Sequence, residues 1–122
     1  MKLGLLEVDP MGFVVSANST FTEITGYEED ELIGKDPALL LTDSISKEFI
    51  DSKNEDRKRG LSSVYEVECR KKNGKQLWLL ISGAPRYNKE NLFIGSIGIH
   101  MDITEQKNLL NQLEVAKNVA EK

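Results

Sequence analysis

The spacing of apolar and polar positions changes period several times along the chain. Leu3 to Val8 and Phe13 to Ala17 are short apolar runs, the second rich in β-branched residues, and both read as strands. Asp9-Pro10-Met11-Gly12 between them is a turn sequence. Helical signals follow in short pieces. Asn18 or Ser19 can cap a helix through Ile24, with Gly26 suited to its end. Glu28 to Ile33 carries acids in its first turn and stops at Gly34. Pro37 interrupts the next segment, where Leu39-Leu40-Leu41 is expected to be buried. Thr42, Asp43 or Ser44 caps a longer helix ending near Gly60, whose apolar stripe is Ile45, Phe49 and Ile50.

The second half switches to a period of two. Tyr65 to Arg70 alternates, which puts Tyr65, Val67 and Cys69 on one face. Asn73-Gly74 predicts a type I′ turn, Gln76 to Ala84 a return strand, Asn88 to Asn91 another turn, and Phe93 to Met101 a long last strand. From Asp102 the pattern is helical again. Asp102-Ile103-Thr104-Glu105 has the form of a capping box, and Leu109, Leu113, Ala116 and Ala120 follow as a short heptad seam. The order of elements predicts an α+β fold, an antiparallel sheet with its helices gathered on one face.

Composition narrows the function. A chain of 122 residues fits one domain with a core of its own. One cysteine excludes a disulfide framework and a cysteine-built zinc site, and the single histidine, His100, excludes a histidine-rich metal cluster. No apolar run reaches the length of a membrane span and no signal-peptide pattern opens the chain, so a reduced, cytoplasmic setting is expected. Residues 1–50 hold ten acids and three bases, whereas residues 51–80 hold eight bases and five acids. The clusters Arg57-Lys58-Arg59 and Arg70-Lys71-Lys72 read as a solvated helix end and hairpin tip, because the chain as a whole is acidic at −4. No nucleic-acid partner is expected. Glu28-Glu29-Asp30-Glu31 reads as an exposed helix start, and no nucleophile–base pair is clustered, so the chain is expected to be non-catalytic.

The run from Asn18 to Tyr27, then Glu31 to Lys35, and later Lys72-Asn73-Gly74, Trp78, Pro85, Gly95, Gly98 and Asp102-Ile103-Thr104 resembles a PAS domain with its C-terminal PAC half. The likeness covers residues 1–104. It implies a five-stranded antiparallel sheet in the order 2-1-5-4-3, cupping helices that can enclose a small ligand. Residues 105–122 resemble the start of a helical linker to an output domain. Residues 116–122 in particular are similar to the approach to the phosphoacceptor helix of bacterial or archaeal sensor histidine kinases of two-component systems; diguanylate cyclases and transcription regulators use comparable linkers.

Superposition on the flavin-binding LOV members implies a pocket lined by Val67, Cys69, Leu79, Ile81, Phe93 and Ile97, completed by Val8, Ser16 and Phe49. Cys69, Leu79 and Ile97 stand where LOV domains place flavin-binding amides, and Pro37 stands where the reactive cysteine falls, so a LOV-type flavin is not expected. Residues 43–59 contain no histidine for a haem iron. His100, of opposite parity to Ile97, is expected to point away from the pocket. Cys69 reads as a buried structural thiol. With Ser16, Cys69 and Tyr65 as polar handles, the pocket is either filled by its own side chains or takes a small apolar or weakly polar molecule.

The opposite parity sets Leu5, Trp78, Leu80 and Ile94 on an outer face too apolar for open solvent. A flanking helix can cover it, or a second copy can; with Leu109 and Leu113 of the tail it forms the expected homodimer surface. Asp102, Ile103 and Thr104 are expected to relay a change in the last strand to the exit helix, although Asp102 can equally be a cap alone. The leading expectation is a sensory and dimerisation module of a histidine kinase, coupled to an output domain of the same chain, with no direct membrane insertion. The other readings are a module of a diguanylate cyclase or transcription regulator, and a ligand-free dimerisation domain.

Overall fold

The computed structural model describes residues 2–120, except for the side chains of Ser44, Ile45 and residues 116–120. Five strands, β1 (Gly4–Val8), β2 (Val14–Ala17), β3 (Ser63–Arg70), β4 (Gln76–Tyr87) and β5 (Phe93–Asp102), form one antiparallel sheet in the order 2-1-5-4-3. Helices α1 (Ser19–Thr25), α2 (Glu29–Leu32), α3 (Pro37–Leu41) and α4 (Ser44–Lys58) lie between β2 and β3, and α5 (Thr104–Ala120) follows β5. Among the described residues no helix is long and apolar enough to cross a membrane.

Local chemistry explains where the elements stop. Asn18 caps α1 by accepting the N–H of Phe21, and the same Oδ1 accepts the N–H of Leu5, which ties the helix start to β1. Gly26 ends α1 in the left-handed region at φ 81°. Pro37 does not interrupt a segment. It occupies the first turn of α3, where no N–H is needed, and Asp36 caps that helix. Of the three leucines that follow, Leu41 is buried, Leu40 half-buried and Leu39 exposed, as a helical turn requires. Asp43 caps α4 through the N–H of Ser46.

The expected type I′ turn is a different one. Gly74 has φ 87° but Asn73 is not in the left-handed region; the N–H of Gly74 donates to Lys71 and that of Lys71 to Lys75. A type I turn followed by one left-handed residue needs only a single positive φ. The β4–β5 turn repeats the arrangement with Asn91 at φ 63° in the glycine's place. At the end of the sheet, Asp102 accepts the N–H and the hydroxyl of Thr104, so a tight side-chain turn replaces the expected capping box.

Candidate functional site

The core lies between the sheet and the short helices, built around Leu6, Phe21, Leu32, Leu77, Leu79 and Ile81, all under one-tenth exposed. It leaves a cavity of about 70 Å³. Leu6 and Val8 of β1, Leu79, Ile81 and Gly83 of β4, and Ser96, Gly98 and His100 of β5 form its floor. Phe21, Ala38, Leu41 and Ile50 cover it, and Asn54 and Arg57 of α4 reach in from the side, opposite Tyr65 and Cys69 of β3.

Of the pocket residues expected from the sequence, Val8, Cys69, Leu79, Ile81 and Ile97 border this cavity. Ser16, Phe49, Val67 and Phe93 do not. Val67 is buried in the core beside the cavity. Phe49 is 42% exposed and meets Tyr65 edge-on at 5.4 Å, with the Lys53 ammonium over both rings. Phe93 borders a separate surface hollow and contacts Tyr87. Ser16 lies on β2, opposite Glu7 and away from the cavity lining.

His100 is the main correction. It is buried, 6% exposed, borders the cavity and meets Phe21 edge-on at 4.9 Å. The reason is a bulge. Tyr87 pairs with Phe93, but Arg86 pairs with Gly95, whose φ is 131°, so one extra residue enters β5. Alternation therefore reverses between Phe93 and Ser96. Beyond the bulge Ser96, Gly98 and His100 pair with Pro85, Gly83 and Ile81 and take the helix side, leaving Ile99 to the outer face. Burial lowers the imidazole to about 4, opposed by backbone hydrogen bonding at Gly4 and Gly98, so the ring is neutral near pH 7. Its Nδ1 is buried and meets no hydrogen-bond partner.

Arg57 is the second correction. Lys58 and Arg59 are exposed and pair with Glu55 and Asp56, but Arg57 is 2% exposed and points inward from the last turn of α4. It donates to the carbonyl of Leu61 at 2.9 Å and the hydroxyl of Ser63 at 2.8 Å, and no carboxylate among the described residues pairs with it. Burial raises Tyr65, partly opposed by the charge of Arg57. Burial also pushes the Cys69 thiol up to about 12, with Glu68 adding to it, so Cys69 is a packed thiol that stays protonated near pH 7. Among the described residues no group of three or more His, Cys, Asp and Glu side chains is placed to hold a metal ion.

Sequence reading missed Arg57 and His100, although one signal pointed to both. Gly83 and Gly98 interrupt strands, and glycine inside a strand marks a close approach. A β-carbon at Gly83 would lie 2.4 Å from the Arg57 guanidinium, and one at Gly98 would lie 2.8 Å from the His100 ring.

The outer face carries Leu5, Trp78, Leu80 and Ile94 together with Ile99. Trp78 is the hinge of the exit helix. Its N–H donates to the Thr104 hydroxyl and its carbonyl accepts the N–H of Ile103, both at 2.9 Å. Lys107 lies over the indole at 4.8 Å and also pairs with Glu66. Further along α5, Leu109 and Leu113 are exposed; the side chains of Ala116 and Ala120, the rest of the seam, lie outside the described residues.

This arrangement, a 2-1-5-4-3 sheet enclosing a small cavity and leaving through a pinned helix, defines a sensory-type α+β domain. The chain belongs to the PAS domain family, whose model matches residues 2–105. It is similar to the PAS domain of a protein from Colwellia psychrerythraea, with 23% identity and a TM-score of 0.75 over 86% of this chain and 89% of that one. It is also similar to an RNA-binding light-oxygen-voltage receptor, with 22% identity and a TM-score of 0.78 over 97% of this chain and 34% of that one. A third likeness is to the PAS domain of the fruit-fly ELK potassium channel, with 22% identity and a TM-score of 0.71 over 83% and 86%.

Proposed function

We propose that this PAS domain is a non-catalytic, cytoplasmic sensor that reports the occupancy of its cavity to an output domain through α5, working as a homodimer. The observation that carries this reading is the Trp78 peptide. Both of its polar groups bond to the start of α5, while the next residue, Leu79, lines the cavity. A displacement of the cavity wall moves the anchor of the helix with it. Asp102 holds Thr104 in position, and Ile103 is buried against the sheet, so the three relay residues act as one joint.

The occupant is a small molecule. Ligand pockets for drug-sized molecules measure about 300 Å³ or more, and a cavity of about 70 Å³ supports an occupant much smaller than a flavin. Its apolar walls agree with an apolar or weakly polar body. A sensor histidine kinase is our choice of output, supported by the resemblance of residues 116–122 to the approach to a phosphoacceptor helix.

Dimerisation through the outer face and α5 is supported by the exposure of Leu5, Ile94 and Ile99 on the sheet and of Leu109 and Leu113 on α5. Sedimentation velocity tests it. The chain is expected to sediment as a dimer, and the double variant Leu109→Glu, Leu113→Glu as a folded monomer. A wild-type monomer at high concentration would overturn the dimeric reading.

A further inference from the structure

Among the described residues the cavity is lined by a positive charge and no negative one. Arg57 is 2% exposed and forms no ion pair among the described residues, and no carboxylate borders the cavity. Guanidinium groups stay protonated in proteins, and a buried charge without a counter-charge is costly. Two of its five N–H donors are used, by Leu61 and Ser63, which leaves Nε and one proton on each terminal nitrogen. His100 adds a second unmet group, a buried Nδ1 with no partner.

These two groups lie next to each other. The guanidinium rests over Gly83 and the imidazole over Gly98, and Gly83 and Gly98 are directly paired across β4 and β5. Paired positions on adjacent strands are about 5 Å apart, so the two groups lie over neighbouring positions that lack a β-carbon. A carboxylate has two oxygens for such a pair of donors, and Arg–carboxylate bonding favours a fork geometry. The remaining walls are mostly apolar, Leu41, Ile50, Leu79 and Ile81 among them, with Thr42, Asn54, Tyr65 and Ser96 as the other polar side chains.

We propose that Arg57 and His100 form the carboxylate-binding end of the cavity, and that the ligand is a short-chain monocarboxylic acid whose hydrocarbon body packs against those apolar walls. In this arrangement the acid supplies the missing counter-charge: one oxygen accepts from the guanidinium and the other from the imidazole Nδ1, the ring carrying its proton on that nitrogen when the acid is bound. A cavity of about 70 Å³ suits a body of only a few carbon atoms. The proposal rests on the sensor reading above and names its ligand class.

Isothermal titration of the 122-residue chain with the sodium salts of acetic to hexanoic acid, the matching primary amides, and sodium nitrate tests it. A short acid is expected to bind at least tenfold more tightly than its amide and than nitrate. Arg57→Met is expected to lose that preference and His100→Phe to weaken binding about tenfold, each checked for folding by circular dichroism. Arg57→Lys, which keeps the charge but not the fork, should retain weakened binding if Arg57→Met fails to fold. Equal binding of acid and amide, tighter binding of nitrate, or no binding of any acid would overturn the carboxylate assignment. Native mass spectrometry separates that failure from failure of the sensor reading: a different co-purified small molecule overturns only the carboxylate.

Discussion

Trp78 and Leu79 are neighbours in the chain but face two regions that are incomplete in opposite ways. On the helix side the packing is dense, with Phe21, Leu77 and Leu79 essentially inaccessible, and what is missing is charge and one hydrogen bond: among the described residues Arg57 lacks an anion, and the Nδ1 of His100 lacks a partner. On the outer side polar groups are satisfied, and what is missing is cover: Leu5, Ile94 and Ile99 are each more than one-third exposed. A deficit of charge can be met by a few atoms. A deficit of apolar area needs a surface, since burial stabilises by roughly 25 cal/mol per Å². The same sheet therefore separates a small-molecule problem from a macromolecular one.

The sharpest way to break this contrast is packing. Phe21→Ala should destabilise the domain by about 3–5 kcal/mol, because it deletes a fully buried ring and leaves a cavity against His100. Ile99→Ala on the outer face should cost less than about 1 kcal/mol at protein concentrations too low for association. Urea denaturation measures both, and equal losses would erase the distinction between the faces.

The next largest effect is on pH dependence. His100 binds its proton near 6.5 when unfolded and near 4 when folded. As pH falls through this window the unfolded chain takes up a proton that the folded chain refuses, so stability drops; above about 6.5 the contribution is fully present. Between pH 7 and 4.5 the loss should be roughly 2–3 kcal/mol, absent from His100→Phe. Identical pH slopes in the two proteins would return His100 to a solvated setting.

The smallest effect concerns the joint between the faces. Thr104→Val removes the acceptor of the Trp78 N–H and should cost about 1–2 kcal/mol. Hydrogen exchange in the first turns of α5 should quicken with it. Unchanged protection would separate the helix from the sheet.

Much of the architecture was legible in the sequence because it rests on local signals. Asn18, Asp43 and Gly26 act where capping chemistry places them, and the alternation of β3 and β4 assigns Cys69, Leu79 and Ile81 to the cavity side. The site was less legible because its two polar groups depend on non-local facts. A single bulge at Gly95 reverses the alternation on which the reading of His100 relied. Arg57 sits in a basic triplet whose other two members are exposed, and only the pairing of β4 with the end of α4 draws it inward. Pro37 shows a milder version, since a helix breaker in the middle of a segment is a helix starter at its first turn.

The paired glycines also constrain the order in which mutations can accumulate. A β-carbon at Gly83 would strike a guanidinium tethered to Leu61 and Ser63, and shortening Arg57 removes the three atoms nearest to that carbon. Gly83→Ala is therefore harmful before Arg57 changes and tolerable after it. The same dependence links Gly98 to His100, whose stiff ring has less freedom to move aside. A descendant of this domain that abandons its charged cavity must lose the large side chains first and the glycines second, and glycines left beneath smaller residues would mark an interior that once held these groups.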